Sequence, residues 1–277
     1  MERYHTPRSL DEACAILAAG PAVIAAGCTD LFPATERKVL PGNVLDLAGI
    51  AALRGIDTTP EQIRIGALTS WTDIRRATLP PAFDMLREAA REVGAVQIQN
   101  AGTLGGNVCN ASPAADGVPP LLALDASVTL VSGRGRREMP LADFLTGPRR
   151  TARAADEILT EILIPAPEGR SRFLKLGARS SLVISIAMVA ARLVTEGGRI
   201  TRAAIAVGAC SAVATRLPAL EAALIGLRPE EAPACVAADL LGPLAPIDDI
   251  RADAPYRREA AAELIRRALA DLGSLPA

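Results

Sequence analysis

The sequence predicts an α/β front part that extends to about residue 165, followed by a separate α+β part. In the front part, short apolar runs typical of buried strands alternate with stretches of helical periodicity. Residues 165–170 are rich in proline and glycine, which is typical of a linker between units. Three strand-like runs and then three helical patterns follow this linker. Because 277 residues exceed the usual size of one core, we expect two or three compact units.

The chain opens with a predicted helix, strand and polar loop. Ser9 is placed to cap a helix over residues 10–19, and the apolar run 22–26 predicts a buried strand. The polar residues 27–30 include a glycine and predict a loop, after which apolar periodicity over residues 31–40 predicts a second helix. A loop that leads into a helix is a candidate anion site, because free backbone N–H groups and positive partial charge meet there.

The alternation continues through the rest of the front part. Apolar runs predict strands at residues 44–47, 62–65, 127–131 and 158–164. Thr69 and Ser70 cap a predicted helix that carries Trp71 and Ile74. A longer helix is predicted over residues 81–93, since proline is tolerated in a first helical turn.

The back part is predicted to contain an antiparallel sheet and helices. Strand-like runs occupy residues 173–176, 182–194 and 200–207. The glycine pair at residues 197–198 predicts a hairpin between the last two strands. Helical patterns follow at residues 216–225, 229–240 and 255–272, the last of them amphipathic.

Composition excludes several classes of partner. The formal net charge of -1 gives no reason to expect nucleic acid or an anionic membrane. Residues 1–5 lack an apolar signal core, and no apolar stretch approaches the roughly 20 residues of a membrane span. We therefore expect a cytoplasmic protein without a membrane span.

Histidine and cysteine usage argues against hydrolytic and metal chemistry in this chain. His5 is the only histidine, so a Ser-His-Asp or Cys-His arrangement would have to recruit it. The five cysteines contain no C-x-x-C pair: Cys14, Cys28, Cys109, Cys210 and Cys235. We expect no catalytic residue and no metal ligand, and each cysteine to be a small buried hydrophobe. A redox role would therefore need an organic cofactor.

Residues 103–117 form the most informative segment. Gly105 and Gly106 let the backbone approach a ligand and aim N–H groups at an anion. Short hydrogen-bonding side chains surround them at Thr103, Asn107, Asn110 and Ser112. This combination is typical of a loop that holds a pyrophosphate.

Two commoner nucleotide-binding loops do not fit this spacing. No lysine follows the glycines as a P-loop requires, and the glycines do not match the Rossmann fingerprint. The Rossmann fingerprint expects an acidic residue about twenty positions after the glycines, and Asp125 lies near that distance from Gly105. A second loop separates the two, however, so Asp125 does not fill this role. An ordinary turn is the alternative, although the many polar residues up to Asp116 exceed what a turn needs.

Two loops together resemble a known family. Residues 26–31 read Ala-Gly-Cys-Thr-Asp-Leu, and residues 103–107 read Thr-Leu-Gly-Gly-Asn. In this order they resemble the FAD-binding subunits of molybdenum hydroxylases, such as the medium subunits of xanthine dehydrogenase, carbon monoxide dehydrogenase and 4-hydroxybenzoyl-CoA reductase. The likeness covers nearly the whole chain and includes residues 65–67, 97–102, 111–113 and 156–159. Residues 144–147 and 156–159 look most like bacterial xanthine dehydrogenase-type subunits.

The resemblance implies an α+β fold and a place in an electron-transfer complex. Two α/β subdomains, residues 1–55 and 56–168, would form a PCMH-type FAD-binding domain, and residues 169–277 an α+β C-terminal domain. FAD would be the cofactor of this chain. The molybdenum cofactor and the 2Fe-2S clusters would belong to a large and a small partner subunit. Electrons would pass from the clusters through FAD to NAD+ or another acceptor.

The resemblance also assigns cofactor-binding residues. The first loop would bind the pyrophosphate through backbone N–H groups, and Thr29 and Asp30 would add side-chain contacts. The residues of this loop are Ala26, Gly27, Cys28, Thr29, Asp30 and Leu31. The second loop would take the other face of the diphosphate and the ribityl chain through Thr103, Gly105, Gly106 and Asn107, and Asn110 and Ser112 complete this set. Asp116 matches an acidic residue that hydrogen-bonds the cofactor, Leu159 an apolar flavin contact, and Lys175 a lysine near the isoalloxazine carbonyl.

Two of these residues have simpler alternative roles. A cation at the position of Lys175 would stabilise reduced flavin, which develops negative charge at its N1/O2 edge, whereas a lysine on a strand is ordinarily solvated. Asp116 is also placed to cap a helix over residues 118–124, and both of its roles can coexist.

Two positions depart from the family pattern. Cys28 stands where a glycine is usual, and a cysteine does not easily adopt positive φ, so either the loop geometry differs or the position never needed glycine. Gln99 stands where an arginine is usual, which removes either a subunit contact or a surface charge.

Three functions are compatible with the sequence. The first is an oxidoreductase subunit that is inactive on substrate without its partners, because a chain without metal ligands cannot collect electrons from a metal centre alone. The second is a free-standing FAD oxidase or dehydrogenase with its own small organic substrate. It would need a general base and aromatic walls, for which one histidine, two tyrosines and four phenylalanines are few. A scaffold without cofactor, supported only by Cys28 and Gln99, ranks last.

Overall fold

A computed structural model describes residues 3–36, 40, 42–166 and 168–274. The first unit is a small parallel sheet, in which the central strand β3 pairs with both β1 and β2. Its elements are β1 (Tyr4–His5), α1 (Leu10–Ala19), β2 (Ala22–Ala25) and β3 (Asn43–Asp46). As predicted, Ser9 caps α1, its side chain accepting a hydrogen bond from the Glu12 backbone N–H at 3.2 Å.

The second unit begins with two strands and a series of short helices. These elements are β4 (Ile56–Thr58), β5 (Gln62–Gly66), α2 (Trp71–Arg76), α3 (Asp84–Glu92), α4 (Val96–Ala101), α5 (Leu104–Asn110) and α6 (Val118–Ala123). It ends with β6 (Ser127–Ser132), β7 (Gly135–Pro140), α7 (Leu141–Phe144), β8 (Leu145–Gly147), β9 (Arg150–Thr151) and β10 (Ile158–Pro165). Five strands form one antiparallel sheet in the order β4-β5-β10-β6-β7, and β8 and β9 form a separate hairpin.

The third unit is an antiparallel sheet with helices on one face. Its elements are β11 (Arg170–Leu176), β12 (Ala187–Glu196), β13 (Arg199–Gly208), β14 (Thr215–Arg216), α8 (Pro218–Leu224) and α9 (Ala254–Ser274). The sheet order follows the chain, and Gly197 and Gly198 form the predicted hairpin turn with φ of 56° and 76°. The prediction of mixed units followed by an antiparallel sheet with helices is confirmed.

The two faces of strand β12 join the third unit to the second. Side chains alternate along a strand, so Met188 and Ala190 enter the core of the second unit while Val189 and Ala191 pack against helices α8 and α9. Backbone contact continues beyond the sheet, since the Ala209 N–H donates to the Pro113 carbonyl at 2.9 Å. The C-terminal sheet is thereby fixed against the glycine-rich segment of the second unit.

Three predicted elements differ in the structure. Residues 31–34 form turns rather than a helix, because Pro33 has no N–H to continue the helical bonds; residues 37–39 of that predicted helix lie outside the described residues. Strand β12 begins at Ala187, since the apolar run 182–186 is a loop that exposes two of its side chains. The predicted helix 229–240 is two 3-10 helices, Pro229–Cys235 and Ala238–Leu241, the first interrupted by a proline.

Within the described part of the chain, no helix combines the length and the apolar character needed to cross a bilayer.

Candidate functional site

A cavity of about 1140 Å³ lies where the first and second units meet. Its volume slightly exceeds the range usual for ligand sites in proteins, so it can take an extended ligand. Twelve of the predicted site residues line it: Ala26, Gly27, Cys28, Thr29, Asp30, Leu31, Thr103, Gly105, Gly106, Asn107, Asn110 and Leu159. Ser112, Asp116 and Lys175 do not. Contact of each residue with a cofactor stays a prediction.

The first loop, residues 26–31, follows strand β2 directly and presses against the end of helix α4. A Cβ atom added at Gly27 would lie 2.0 Å from the Ala101 carbonyl oxygen, so only glycine fits there. Among the described residues, no group accepts a hydrogen bond from the backbone N–H groups of residues 27–31. The loop lines the cavity, so these donors, which no described residue uses, are candidates for contact with an anion.

Cys28 adopts the positive φ that glycine would supply. Its φ is 58°, and its thiol donates to the Ala26 carbonyl oxygen at 3.4 Å. Burial raises the pKa of this thiol, which keeps the donor proton in place. Residue 28 thus adopts the left-handed conformation, which in a cysteine costs about 1–2 kcal/mol of folding free energy.

The second loop is the N-terminal turn of helix α5, capped by Thr103. Its N–H groups are already used: Leu104 donates to Thr69 O, Gly105 to Ala67 O, Gly106 to Thr103 Oγ1 and Asn107 to Thr103 O, at 2.9–3.1 Å. The expectation that these glycines aim N–H groups at an anion is therefore wrong for this loop. Its contribution is close approach and side-chain chemistry.

The two glycines of that loop have different roles. A Cβ atom at Gly105 would lie 2.7 Å from both the carbonyl oxygen and the Cβ of Ala67, so this glycine lets α5 pack against the second unit. A Cβ atom at Gly106 would approach only the Thr103 hydroxyl, at 2.8 Å. Gly106 therefore faces the cavity, and a side chain there would take ligand space.

Asn107 lines the cavity, but its side-chain oxygen lies beside Gly117, outside the cavity lining. Its Oδ1 atom is buried, and no described residue donates a hydrogen bond to it. A buried acceptor without a partner costs about 1–3 kcal/mol. Asn110, one helical turn later, is already engaged, since its Oδ1 accepts from the Arg149 guanidinium.

Asp116 and Lys175 form a buried ion pair between the second and third units. Lys175 Nζ donates to Asp116 Oδ2 at 2.7 Å, and Ser185 Oγ donates to Oδ1 at 2.8 Å. Burial raises the pKa of the Asp116 carboxyl, while Lys175 and Ser185 act in the opposite direction. The two simpler alternatives are wrong. Lys175 is buried rather than solvated, and Asp116 does not cap helix α6, whose N-cap is Gly117 without a side-chain hydrogen bond.

Ser112 and Gln99 have structural roles. The Ser112 hydroxyl accepts from the Ala114 N–H at 3.3 Å, which holds the turn after α5. Gln99 is buried; its amide accepts from Arg75 and donates to the Arg91 carbonyl oxygen at 3.1 Å. The Gln99 side chain thereby ties α2 to the end of α3.

Several cavity residues escaped the sequence prediction. Trp71 lines the wall from α2, and Val93 and Ile98 come from the region around α4. Arg149 and Arg153 contribute two cationic groups from the β8–β9 hairpin and the turn after it. The run Pro148-Arg149-Arg150 indicates an exposed turn, but only the fold shows that Arg149 lines the cavity.

Comparison with known proteins gives consistent matches over the chain. A family model described as FAD binding domain in molybdopterin dehydrogenase matches residues 1–167. A second, described as CO dehydrogenase flavoprotein C-terminal domain, matches residues 172–272.

Individual relatives match over most of their length. The nicotine 6-hydroxylase medium subunit of Paenarthrobacter nicotinovorans is 34% identical, over 98% of this chain and 97% of the relative. The xanthine dehydrogenase FAD-binding subunit of Escherichia coli O157:H7 is 32% identical, over 74% of this chain and 73% of the relative. A solved structure of carbon monoxide dehydrogenase from Hydrogenophaga pseudoflava superposes with a TM-score of 0.90 at 31% identity, covering 98% of this chain and 96% of that chain.

Proposed function

Since this chain belongs to the family of FAD-binding medium subunits of molybdenum hydroxylases, we propose that it relays electrons from partner subunits to an external acceptor. FAD, when bound, supplies the redox chemistry, taking electrons from the 2Fe-2S clusters of a small subunit and passing them to NAD+ or another acceptor. A large subunit with the molybdenum cofactor oxidises the substrate. The chain's own part is to bind and orient the cofactor.

The residues of the cavity fit FAD. No described residue accepts a hydrogen bond from the N–H groups of residues 27–31, which suits a diphosphate, and this observation carries the proposal. Apolar side chains such as Leu47, Ile158 and Leu159 suit a flat ring.

More specific features belong to the same proposal. Residues 1–55, 56–168 and 169–277 are proposed as its three units, which the separate sheets support. Xanthine dehydrogenase-like activity of the complex is supported by the resemblance at residues 144–147 and 156–159 and by the relative of that name. A cytoplasmic location is supported by the cysteines, which are all free thiols.

The visible spectrum of the purified chain tests the proposal. We expect a flavin spectrum, and no turnover of a purine or an alcohol until large and small subunits of the complex are added. Turnover by the isolated chain would instead make it a free-standing flavoenzyme. A colourless chain that takes up no added FAD would contradict any flavin function.

Cys28 provides a local prediction about the first loop. Cys28→Gly removes the left-handed strain, so the variant should keep its FAD and stay within about 1 kcal/mol of the parent stability. Cys28→Val places a β-branched residue at positive φ, and we expect a loss of about 1–2 kcal/mol and of most bound FAD. Absorbance ratios of purified protein and urea unfolding measure both effects.

Cys235→Val is the matched control for this pair. Cys235 is half-buried like Cys28, but it lies in the 3-10 helix of the third unit and does not line the cavity. The FAD content of Cys235→Val should equal that of the parent. Equal FAD content in Cys28→Val would show that the cofactor does not depend on the conformation of this loop.

A further inference from the structure

Two arginines that line the cavity have no carboxylate partner in the part of the chain that the structure describes. Arg149 and Arg153 line the cavity, and neither forms an ion pair with any acidic group in the described ranges. Asp30 is the single carboxylate among the described lining residues, and it belongs to the first loop. Arg153 is held in place by the carbonyl oxygens of Ala154 and Glu157, at 3.2 and 2.7 Å. The cavity therefore carries excess positive charge.

The backbone around Arg149 is held in an unusual conformation. Arg149 has a φ of 58°, and its N–H donates at 2.8 Å to the carbonyl oxygen of Ala111, which has a φ of 46° and ends helix α5. Two non-glycine residues in the left-handed region are thus joined by one hydrogen bond. Such strain is retained at sites where a side chain must be placed. Here it fixes the β8–β9 hairpin against the end of α5.

The guanidinium of Arg149 is only partly used. One of its nitrogens donates to Asn110 Oδ1, and it donates no other hydrogen bond to a residue that the structure describes. A guanidinium has five N–H donors in a planar fork, so most of them stay available to a ligand. This geometry matches two phosphate oxygens better than it matches any uncharged group.

We propose that Arg149, supported by the charge of Arg153, binds the diphosphate of FAD. The affinity of the protein for FAD then depends in large part on electrostatic attraction. The inference rests on the proposed function. Within FAD the diphosphate carries the formal negative charge, so it is the natural partner of an unpaired cation. The N–H groups of residues 27–31 and the arginines then act on one group, the first as neutral donors and the second as charges.

Replacement of Arg149 in the full chain, with the neighbouring Arg150 as control, tests the inference. FAD is removed, and its rebinding to each apoprotein is followed by flavin fluorescence at low and raised NaCl concentration. Arg149→Gln should bind FAD about tenfold more weakly at low salt, and its dissociation constant should rise less steeply with salt. Arg150→Gln should behave as the parent, because Arg150 is exposed like Arg149 but lies outside the cavity lining.

A charge-retaining variant separates charge from folding. Arg149→Lys should keep most of the salt dependence, and thermal unfolding should show that all variants fold. Parental affinity in Arg149→Gln would overturn the inference, and so would weaker binding with the parental salt dependence, since the guanidinium would then contact an uncharged part of the cofactor. Parent protein that binds no FAD at all would contradict the proposed function itself.

Discussion

Gly106→Val should abolish FAD retention while the protein stays folded. The valine side chain would project into the cavity, where a Cβ atom meets nothing within 4 Å except the Thr103 hydroxyl. That hydroxyl accepts the Gly106 N–H and caps α5, so its displacement should cost about 1 kcal/mol of stability. Such a cost leaves a typical domain folded. The ratio of flavin to protein absorbance after purification measures the loss of cofactor, and circular dichroism measures the fold.

Two other glycines complete this experiment. Gly133 lies in the exposed turn between β6 and β7, where a Cβ atom meets nothing, so Gly133→Val should keep both fold and FAD. Gly105→Val should damage the fold itself, because its side chain would collide with the Ala67 backbone. Unchanged flavin content in Gly106→Val would show that the wall beside α5 is not where the cofactor lies.

Local sequence signals were sufficient for most elements that position the cavity. Ser9 and Ser70 mark helix starts because a cap needs only a side chain and the next turn. The glycine pair 197–198 marks a hairpin for the same reason of local geometry. These signals depend on neighbours within a few residues, which a sequence shows directly.

Features that depend on distant contacts were harder to predict. The glycine-rich segment was interpreted as a source of free N–H groups, yet Thr69 and Ala67, about 35 residues earlier, accept two of them. The local pattern around Lys175 suggests only a solvated strand residue, the alternative to its cofactor role, because its partner, Asp116, lies in another unit. Arg149 reaches the cavity only because the β8–β9 hairpin folds back on α5. In each case tertiary packing decided which polar groups stay unused.

The buried pair Asp116 and Lys175 should contribute strongly to the stability of the whole chain. Asp116→Ala would leave the lysine ammonium, with only 5% of its side chain exposed, without a counter-charge, and would also free the Ser185 hydroxyl. Loss of one partner of a buried pair costs about 3–5 kcal/mol, a large part of the stability of a domain. Urea unfolding at pH 7 should show a correspondingly lower midpoint, with the second and third units loosened together.

A double variant distinguishes charge burial from simple loss of contacts. Asp116→Ala with Lys175→Met removes both charges, so it should be more stable than Asp116→Ala alone, because the cost of the single change is chiefly the unpaired ammonium. The exposed pair Arg202 and Glu168 provides the control: Glu168→Ala should change the free energy of unfolding by less than about 1 kcal/mol. If the double variant were no more stable than Asp116→Ala, the ion pair would not be what couples the glycine-rich segment to the C-terminal sheet.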